Sequence, residues 1–154
     1  MNQLKIFLLG LCMIYPTQAM TQFGLSAVSD GGAGVILLTE TVSSSILYST
    51  INNRTGVDED ETNIEFNIKY RQPLDTNNHA TFGIKYVMNE LKTVDDDDSD
   101  ENTVFALTAG LEHALSKRIL LQAETDVYSH KTIDDGDDEQ SLFNYARLGI
   151  SFLF

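Results

Sequence analysis

The sequence predicts an all-β fold: an eight-stranded antiparallel up-and-down transmembrane β-barrel, preceded by a cleavable signal peptide. Five segments alternate apolar and polar residues over membrane-crossing lengths, as half-buried strands do. No segment after residue 19 has the roughly 18 consecutive apolar residues of a membrane-spanning helix, and only a closed barrel otherwise pairs every backbone group within lipid. The length of the segment 20–154 also suits eight strands of roughly ten residues with their turns.

Residues 1–19 have the features of a secretory signal peptide. Lys5 precedes an apolar run at 6–15, and Pro16 is followed by the small-residue site that ends at Ala19. The run is too short to cross a bilayer as a helix. The only cysteine, Cys12, lies within this segment, so the exported barrel domain, residues 20–154, is predicted to fold without a disulfide.

The alternation and the turn residues together predict eight strands, near residues 22–30, 34–41, 45–53, 62–72, 79–92, 103–115, 118–131 and 142–154. An even number of strands puts both chain ends on one side of the membrane. Turns on that side are expected at 41–44, 72–78 and 116–117, and loops on the far side at 31–33, 53–61, 93–102 and 132–141. The first hairpin is the exception to the long far-side loops, and its glycines could instead bend one long strand.

Period-two spacing assigns the two faces of the longer strands. Phe66, Ile84, Leu121 and Ile150 fall on apolar faces, which we expect to contact lipid. In the seventh segment, Val127 falls on the apolar face and Tyr128 on the polar one. The polar faces carry eight charged residues that we expect to form an ion-pair network inside a closed, poreless barrel: Glu65, Lys69, Arg71, Lys85, Glu112, Glu124, Asp126 and Arg147.

The last segment ends on an aromatic residue. Phe154, Phe152 and Ile150 share its apolar face, and Arg147 lies on the other. This ending resembles the terminal strand of small bacterial outer-membrane β-barrels, such as the OmpA transmembrane domain, OmpX and the opacity-type proteins. The resemblance implies an outer-membrane location, a periplasmic side for both chain ends, a monomer, and a role for Phe154 as the insertion signal read by the barrel-assembly machinery.

The acidic residues are concentrated in three segments on the predicted far side. Four, six and five of the 23 acidic residues lie within 58–61, 95–101 and 134–139, and the formal net charge is −13. Hard oxygen ligands suit Ca²⁺ or Mg²⁺, and anionic lipopolysaccharide beside such loops favours bridging cations. Neither later loop has the spacing of a calcium-binding EF-hand. The candidate ligands for divalent cations are Asp95, Asp96, Asp97, Asp98, Asp134, Asp135, Asp137 and Asp138.

Several other functions are disfavoured or left as alternatives. The acidic chain lacks the basic face that nucleic-acid binding requires, and no cofactor motif is present. Ser129 and His130 are neighbours in a strand and point to opposite faces, so they do not reproduce the His-x-Ser pair of lipid A deacylases; we expect no enzyme. The alternatives are a narrow ion or small-solute channel, a lipid A-modifying enzyme, and a soluble periplasmic β-barrel binder.

Overall fold

The computed structural model of the chain describes residues 21–51, 59–93, 99–133 and 138–154. Each strand of this part of the chain pairs antiparallel with the next, and β1 pairs with β8 to close a barrel, which confirms the predicted fold class. Within the same ranges, no helix has the length and apolar character needed to cross a membrane. The strands are β1 (Gln22–Val28), β2 (Ala33–Leu38), β3 (Val42–Ile51), β4 (Glu59–Pro73), β5 (Asn78–Thr93), β6 (Ser99–Ser116), β7 (Ile119–Ile133) and β8 (Glu139–Leu153).

The strand ends differ from the predicted ones, mostly because the sheet continues into the acidic segments. β4 begins at Glu59 and β6 at Ser99, both inside regions predicted as loops. Ladder pairs such as Glu59 with Thr93 extend the sheet there, since a paired backbone holds an extended conformation whatever its side chains. The predicted signal peptide, residues 1–19, lies outside the described residues.

Apolar side chains cover the outside of the barrel, as the alternation predicts. Ile84 is 46% exposed and Leu121 37% exposed, whereas Lys69 and Glu124 are each 6% exposed. Phe66 lies opposite the outward-facing Tyr86 in the ladder. The apolar residues therefore surround a closed cylinder with a polar interior, which is the reverse of the arrangement in a soluble barrel.

A bulge in β7 corrects the predicted position of Tyr128. The ladder register shifts between Asp126 and Tyr128, so that Val127 is an extra residue against β6. Because an inserted residue reverses the alternation beyond it, Tyr128 lies opposite the outward-facing Leu107. The prediction that Tyr128 faces inwards is therefore wrong, and the alternation beyond the bulge is offset by one residue.

The first hairpin consists of two short strands joined by a tight turn. The Val28 N–H donates to the Gly32 carbonyl at 2.8 Å, and the Gly31 N–H donates to the Val28 carbonyl at 3.1 Å. Gly31 has φ 91°, a conformation that glycine adopts without strain. The glycines thus separate two strands and do not bend one.

The turn predicted at 41–44 lies earlier in the chain. The Val42 N–H donates to the Thr39 hydroxyl at 2.9 Å, and that hydroxyl donates to the Val42 carbonyl at 3.0 Å. These local bonds between side chain and backbone end β2 at Leu38.

Candidate functional site

The centre of the barrel holds a four-residue ion cluster from three different strands. The Arg147 guanidinium of β8 donates from Nη1 to Glu65 Oε2 of β4 at 2.7 Å, and a second bond runs from Nη2 to Glu65 Oε1. Nη2 also lies 2.9 Å from Glu124 Oε1 of β7. Glu124 Oε2 lies 2.6 Å from Lys69 Nζ of β4. Arg147 therefore joins two carboxylates across the lumen, and Lys69 completes the charge balance.

A second pair lies next to this cluster, between β5 and β7. Lys85 Nζ donates to Asp126 Oδ2 at 2.7 Å, and both residues are buried. The same ammonium lies 4.5 Å from the centre of the Tyr145 ring, within the range of a cation–π interaction. The pairing leaves neither charge uncompensated in the interior.

A third cluster closes the interior towards the turns on the side of the chain ends. Arg71 Nε donates to Glu112 Oε2 at 2.6 Å, and Glu112 Oε1 also accepts from Ser43 Oγ at 3.3 Å and from Gln122 Nε2 at 3.1 Å. The Arg71 Nη1 atom donates to the Thr39 carbonyl. Glu112 is 1% exposed, so its charge depends on these donors, because an unpaired buried carboxylate is strongly destabilising.

The structure thus brings all eight charged residues from the sequence analysis into the interior, each less than a tenth exposed. β4, β5, β6, β7 and β8 place them there because every second side chain of a strand points to the same face. The register decides the partners: Glu65 and Arg147, for example, are separated by 82 residues. Four acidic and four basic side chains balance one another.

Sequence reasoning missed an apolar cluster that also lies inside the barrel. Ile36 and Leu38 of β2, Leu120 of β7 and Leu153 of β8 pack together, each at most 5% exposed. The run 35–38 is apolar at every position, so it shows no alternation from which an inward face could be assigned. A strand that packs against an apolar interior on one side and faces lipid on the other is apolar on both faces. The uninterrupted apolar run at 35–38 was therefore the feature that could have identified this cluster.

The cavities of the barrel are separated by these side chains. A vestibule of about 360 Å³ lies on the side of the acidic loops, and a mouth of about 540 Å³ lies on the side of the chain ends. Near Lys69, Glu124 and Arg147 the interior narrows to a void of about 10 Å³, which is about the space of one water molecule. The side chains of Lys69, Glu124 and Arg147 therefore lie between the vestibule and the mouth.

The turn residue Asp30 closes one side of the vestibule. Its carboxylate accepts a hydrogen bond from the Tyr145 hydroxyl and another from the Gly32 N–H at 3.3 Å, and it lies 3.6 Å from Arg147 Nη1. Burial alone would raise the pKa of Asp30, but these hydrogen bonds and the Arg147 charge outweigh it and hold the pKa below its ordinary value. Asp30 is therefore ionised at neutral pH.

The structure places Ser129 and the histidines His130 and His113 in different surroundings. Ser129 is buried on the inner face, whereas His130 lies opposite the outward-facing Phe105 and its Nε2 atom lies 3.4 Å from Asp138 Oδ2. His113 Nδ1 lies 2.7 Å from Asn78 Oδ1. Ser129 and His130 therefore lie on opposite faces of β7.

The candidate cation ligands lie mainly outside the described residues. Only Asp138 is described, and it is exposed beside His130; Asp95, Asp96, Asp97, Asp98, Asp134, Asp135 and Asp137 lie in the ranges that the structure does not describe. At the other end of the barrel, the Phe154 N–H donates to the Phe23 carbonyl at 2.8 Å. The Phe154 side chain is 78% exposed, so it is available for contact with another molecule.

Comparisons with known proteins agree with this architecture. A family model described as an outer membrane protein beta-barrel domain matches residues 17–152. Neisserial surface protein A superposes with a TM-score of 0.58 at 12% identity, over 87% of this chain and 93% of that one. The N-terminal β-barrel domain of Pseudomonas aeruginosa OprF gives 0.50 at 15% identity, over 87% and 94%. At these identities the likeness concerns the fold alone. No curated protein sequence matches this chain significantly.

Proposed function

Because the chain belongs to the outer membrane protein β-barrel domain family and lies in the bacterial outer membrane, we propose that it is a non-catalytic stem that displays acidic loops on the cell surface. The role is structural or interactive, and the loops are its working surface. The signal peptide at 1–19 directs export, and the barrel is inserted as a monomer.

The buried ion pairs and apolar cluster inside the barrel are the observation that supports this proposal. Three ion clusters and one apolar cluster occupy the lumen between the two mouths. An ion crossing the barrel would have to displace charges that are already paired, or pass an apolar layer without its hydration shell. A closed stem leaves the surface as the place where function resides, in contrast to the channel alternative.

The acidic loops are proposed to meet lipopolysaccharide through divalent cations. Loop carboxylates such as those of Asp95–Asp98 and Asp134 lie beside anionic lipid, and like charges repel unless cations screen or bridge them. Carboxylate oxygens suit Mg²⁺ and Ca²⁺. This contact would fix the stem in its lipid surroundings without a dedicated metal site.

Phe154 is proposed as the contact for the barrel-assembly machinery. The exposed aromatic side chain and the backbone bond to Phe23 put the chain end at the seam where β1 meets β8. Until β1 and β8 pair, the assembly machinery can bind Phe154 at the edge where the barrel closes. Deletion of Phe154 should therefore lower the amount of inserted protein and leave the fold of the inserted fraction unchanged.

Planar-bilayer recording of the refolded protein tests the closed stem. We expect no current above the baseline of the protein-free bilayer, because the ion clusters fill the lumen. Arg147→Ser, which removes the central guanidinium, serves as the matched variant that should raise leakage. Discrete channel openings of the unmodified protein would contradict the proposal and favour the channel alternative.

Mg²⁺-dependent association with lipopolysaccharide tests the role of the loops. Replacing Asp95, Asp96, Asp97 and Asp98 by Asn should raise the Mg²⁺ concentration needed for association, because the variant has fewer carboxylates for the cations to bridge to lipid. Asp75→Asn is the control, since Asp75 lies in the turn on the opposite side. The same Mg²⁺ requirement in both variants would rule out the loop contact. In a separate experiment, a change in the mass of lipid A when the protein is overproduced would favour the enzyme alternative.

A further inference from the structure

The barrel wall has a side notch above the first hairpin. The backbone seam on the β1 side of β8 ends with the bond from the Ser29 N–H to the Leu148 carbonyl at 2.8 Å, and β2 pairs with β3 only from Ser43 to Tyr48. Further towards the loops, the described part of β8 pairs with β7 alone and β3 with β4 alone. We use the term side notch for the gap between the described parts of β8 at 139–147 and of β3 at 49–51, with the turn at 29–32 as its floor.

The first hairpin, which forms the floor of the side notch, is much shorter than the strand β8 beside it. β1 has 7 residues and β2 has 6, whereas a tilted strand needs about 9–11 residues to cross the apolar band. The neighbouring β8 has 15 residues. Because the first hairpin stops short of the outer boundary, the side notch faces lipid and not only water.

The vestibule lies directly behind the side notch. Its lining includes Asp30 and Gly32 of the floor, Ser49 of β3, and Tyr145 and Arg147 of β8. The Tyr145 hydroxyl donates to the Asp30 carboxylate at the edge of the side notch, beyond the last backbone bond between Ser29 and Leu148. The Asp30 side chain is 35% exposed, so it remains partly accessible at the floor of the side notch.

The charges around the vestibule favour a cationic group. Asp126 is paired with Lys85 and Glu65 with Arg147, and Asp30 adds a further carboxylate, 3.6 Å from Arg147. The Tyr145 ring already lies beside one ammonium, that of Lys85, and aromatic rings attract such groups. The acidic segments joined to this end of the barrel increase the local concentration of cations.

An apolar path leads away from the side notch along the outside of the barrel. Ser29 and Leu148 lie at its start, and a shallow groove of about 560 Å³ continues over Ala109, Ala123 and Ala146. The short side chains of these alanines leave room between Leu148 and the neighbouring strands. An alkyl chain could lie there while remaining in contact with lipid.

From the side notch and the vestibule we propose a binding site for a single-chain amphiphile with an ammonium head group. The head enters the vestibule through the side notch and lies beside the Asp30 carboxylate and the Tyr145 ring. The alkyl chain leaves through the same gap and lies on the outer groove. This site depends on the outer-membrane location of the chain and not on whether the lumen conducts.

Methyl NMR of the protein in phosphatidylcholine nanodiscs tests the site, with decyltrimethylammonium as the probe. We expect nuclear Overhauser effects from the N-methyl protons to the methyl groups of Leu47 and Val87, which line the vestibule, and from the alkyl protons to Leu148. Decyl sulfate should bind at least about tenfold more weakly, as a reversed head charge predicts. Contacts restricted to Leu148, or equal binding of the sulfate, would overturn the proposal.

Three variants separate the head site from the chain site. Asp30→Asn should weaken decyltrimethylammonium about tenfold, the effect of losing one charge-assisted contact, and Asp75→Asn on the opposite side should change nothing. Ala146→Trp, which fills the outer groove, should weaken decyltrimethylammonium but not tetramethylammonium. Unchanged affinity in Asp30→Asn, or equal affinities for the two ammonium compounds, would refute the site. Tyr145→Leu gives a second test of the head site, and heat-modifiable gel migration verifies that each variant is folded.

Discussion

Removal of the Arg147 side chain is the sharpest test of the interior ion network. In Arg147→Met, the chain keeps its volume but loses the donors to Glu65 and Glu124. Glu124 retains Lys69 at 2.6 Å, whereas among the described residues Glu65 retains a neutral donor, the Asn67 amide at 2.9 Å. Breaking a buried ion pair from one side costs about 3–5 kcal/mol, and we expect the free energy of unfolding to fall by that amount.

Urea unfolding in lipid vesicles measures this loss. Folded and unfolded barrels migrate differently in unheated gels, so the folded fraction can be read at each urea concentration. Arg118→Met is the matched control, because Arg118 is exposed in the β6–β7 turn and its removal should change the free energy of unfolding by at most about 0.5 kcal/mol.

A double-mutant cycle separates the ion pair from the general loss of packing. Glu65→Gln in the Arg147→Met background removes the uncompensated charge, so the double variant should be more stable than the sum of the single losses by about 1–3 kcal/mol. Additive losses, or a cost of less than about 1 kcal/mol for Arg147→Met, would refute the reasoning that the network is a stabilising buried cluster.

Three further predictions concern the first hairpin and the apolar cluster. Gly34→Ala should destabilise the barrel by about 1–3 kcal/mol, because an added Cβ would lie 1.9 Å from the Ile46 carbonyl oxygen; urea midpoints that match the unmodified protein would contradict this. Asp30 has a lowered pKa, so its stabilising contribution is present above the ordinary value of about 3.9 and is lost as the pH falls through the lower pKa of the folded protein. The difference in urea midpoint between the unmodified protein and Asp30→Asn should therefore shrink below about pH 4. A difference that stays constant with pH would count against the Tyr145 contact. Leu120→Ala should cost about 2–5 kcal/mol because Leu120 is 1% exposed, and the exposed Leu115→Ala should cost less in the same unfolding assay.

The period-two pattern was sufficient to assign faces wherever a strand alternates regularly. Glu65, Lys69 and Glu112 could each be placed inside, because a charge that faced lipid would be costly. The pattern failed at β7, where the bulge at Val127 reversed the face of Tyr128. A bulge adds one residue without a composition signal in this segment, so the alternation could not reveal it.

The apolar run at 35–38 was a different kind of failure. Alternation gives no information when both faces are apolar, so Ile36 and Leu38 could not be assigned to the lumen from the sequence. Closure of the barrel brings them against Leu120 and Leu153, which are distant in the chain. Their common environment follows from the ladder between β1, β2, β7 and β8.

The sequence by itself determined the local features of this protein: eight extended segments, their apolar and polar sides, and the acidic character of one end. These features depend on the backbone geometry of single strands and on the cost of exposing charge to lipid. The tertiary structure alone decided which charges meet and where the wall is incomplete. Both depend on strand register and on the seam between β1 and β8, which are set by hydrogen bonds between segments far apart in the chain.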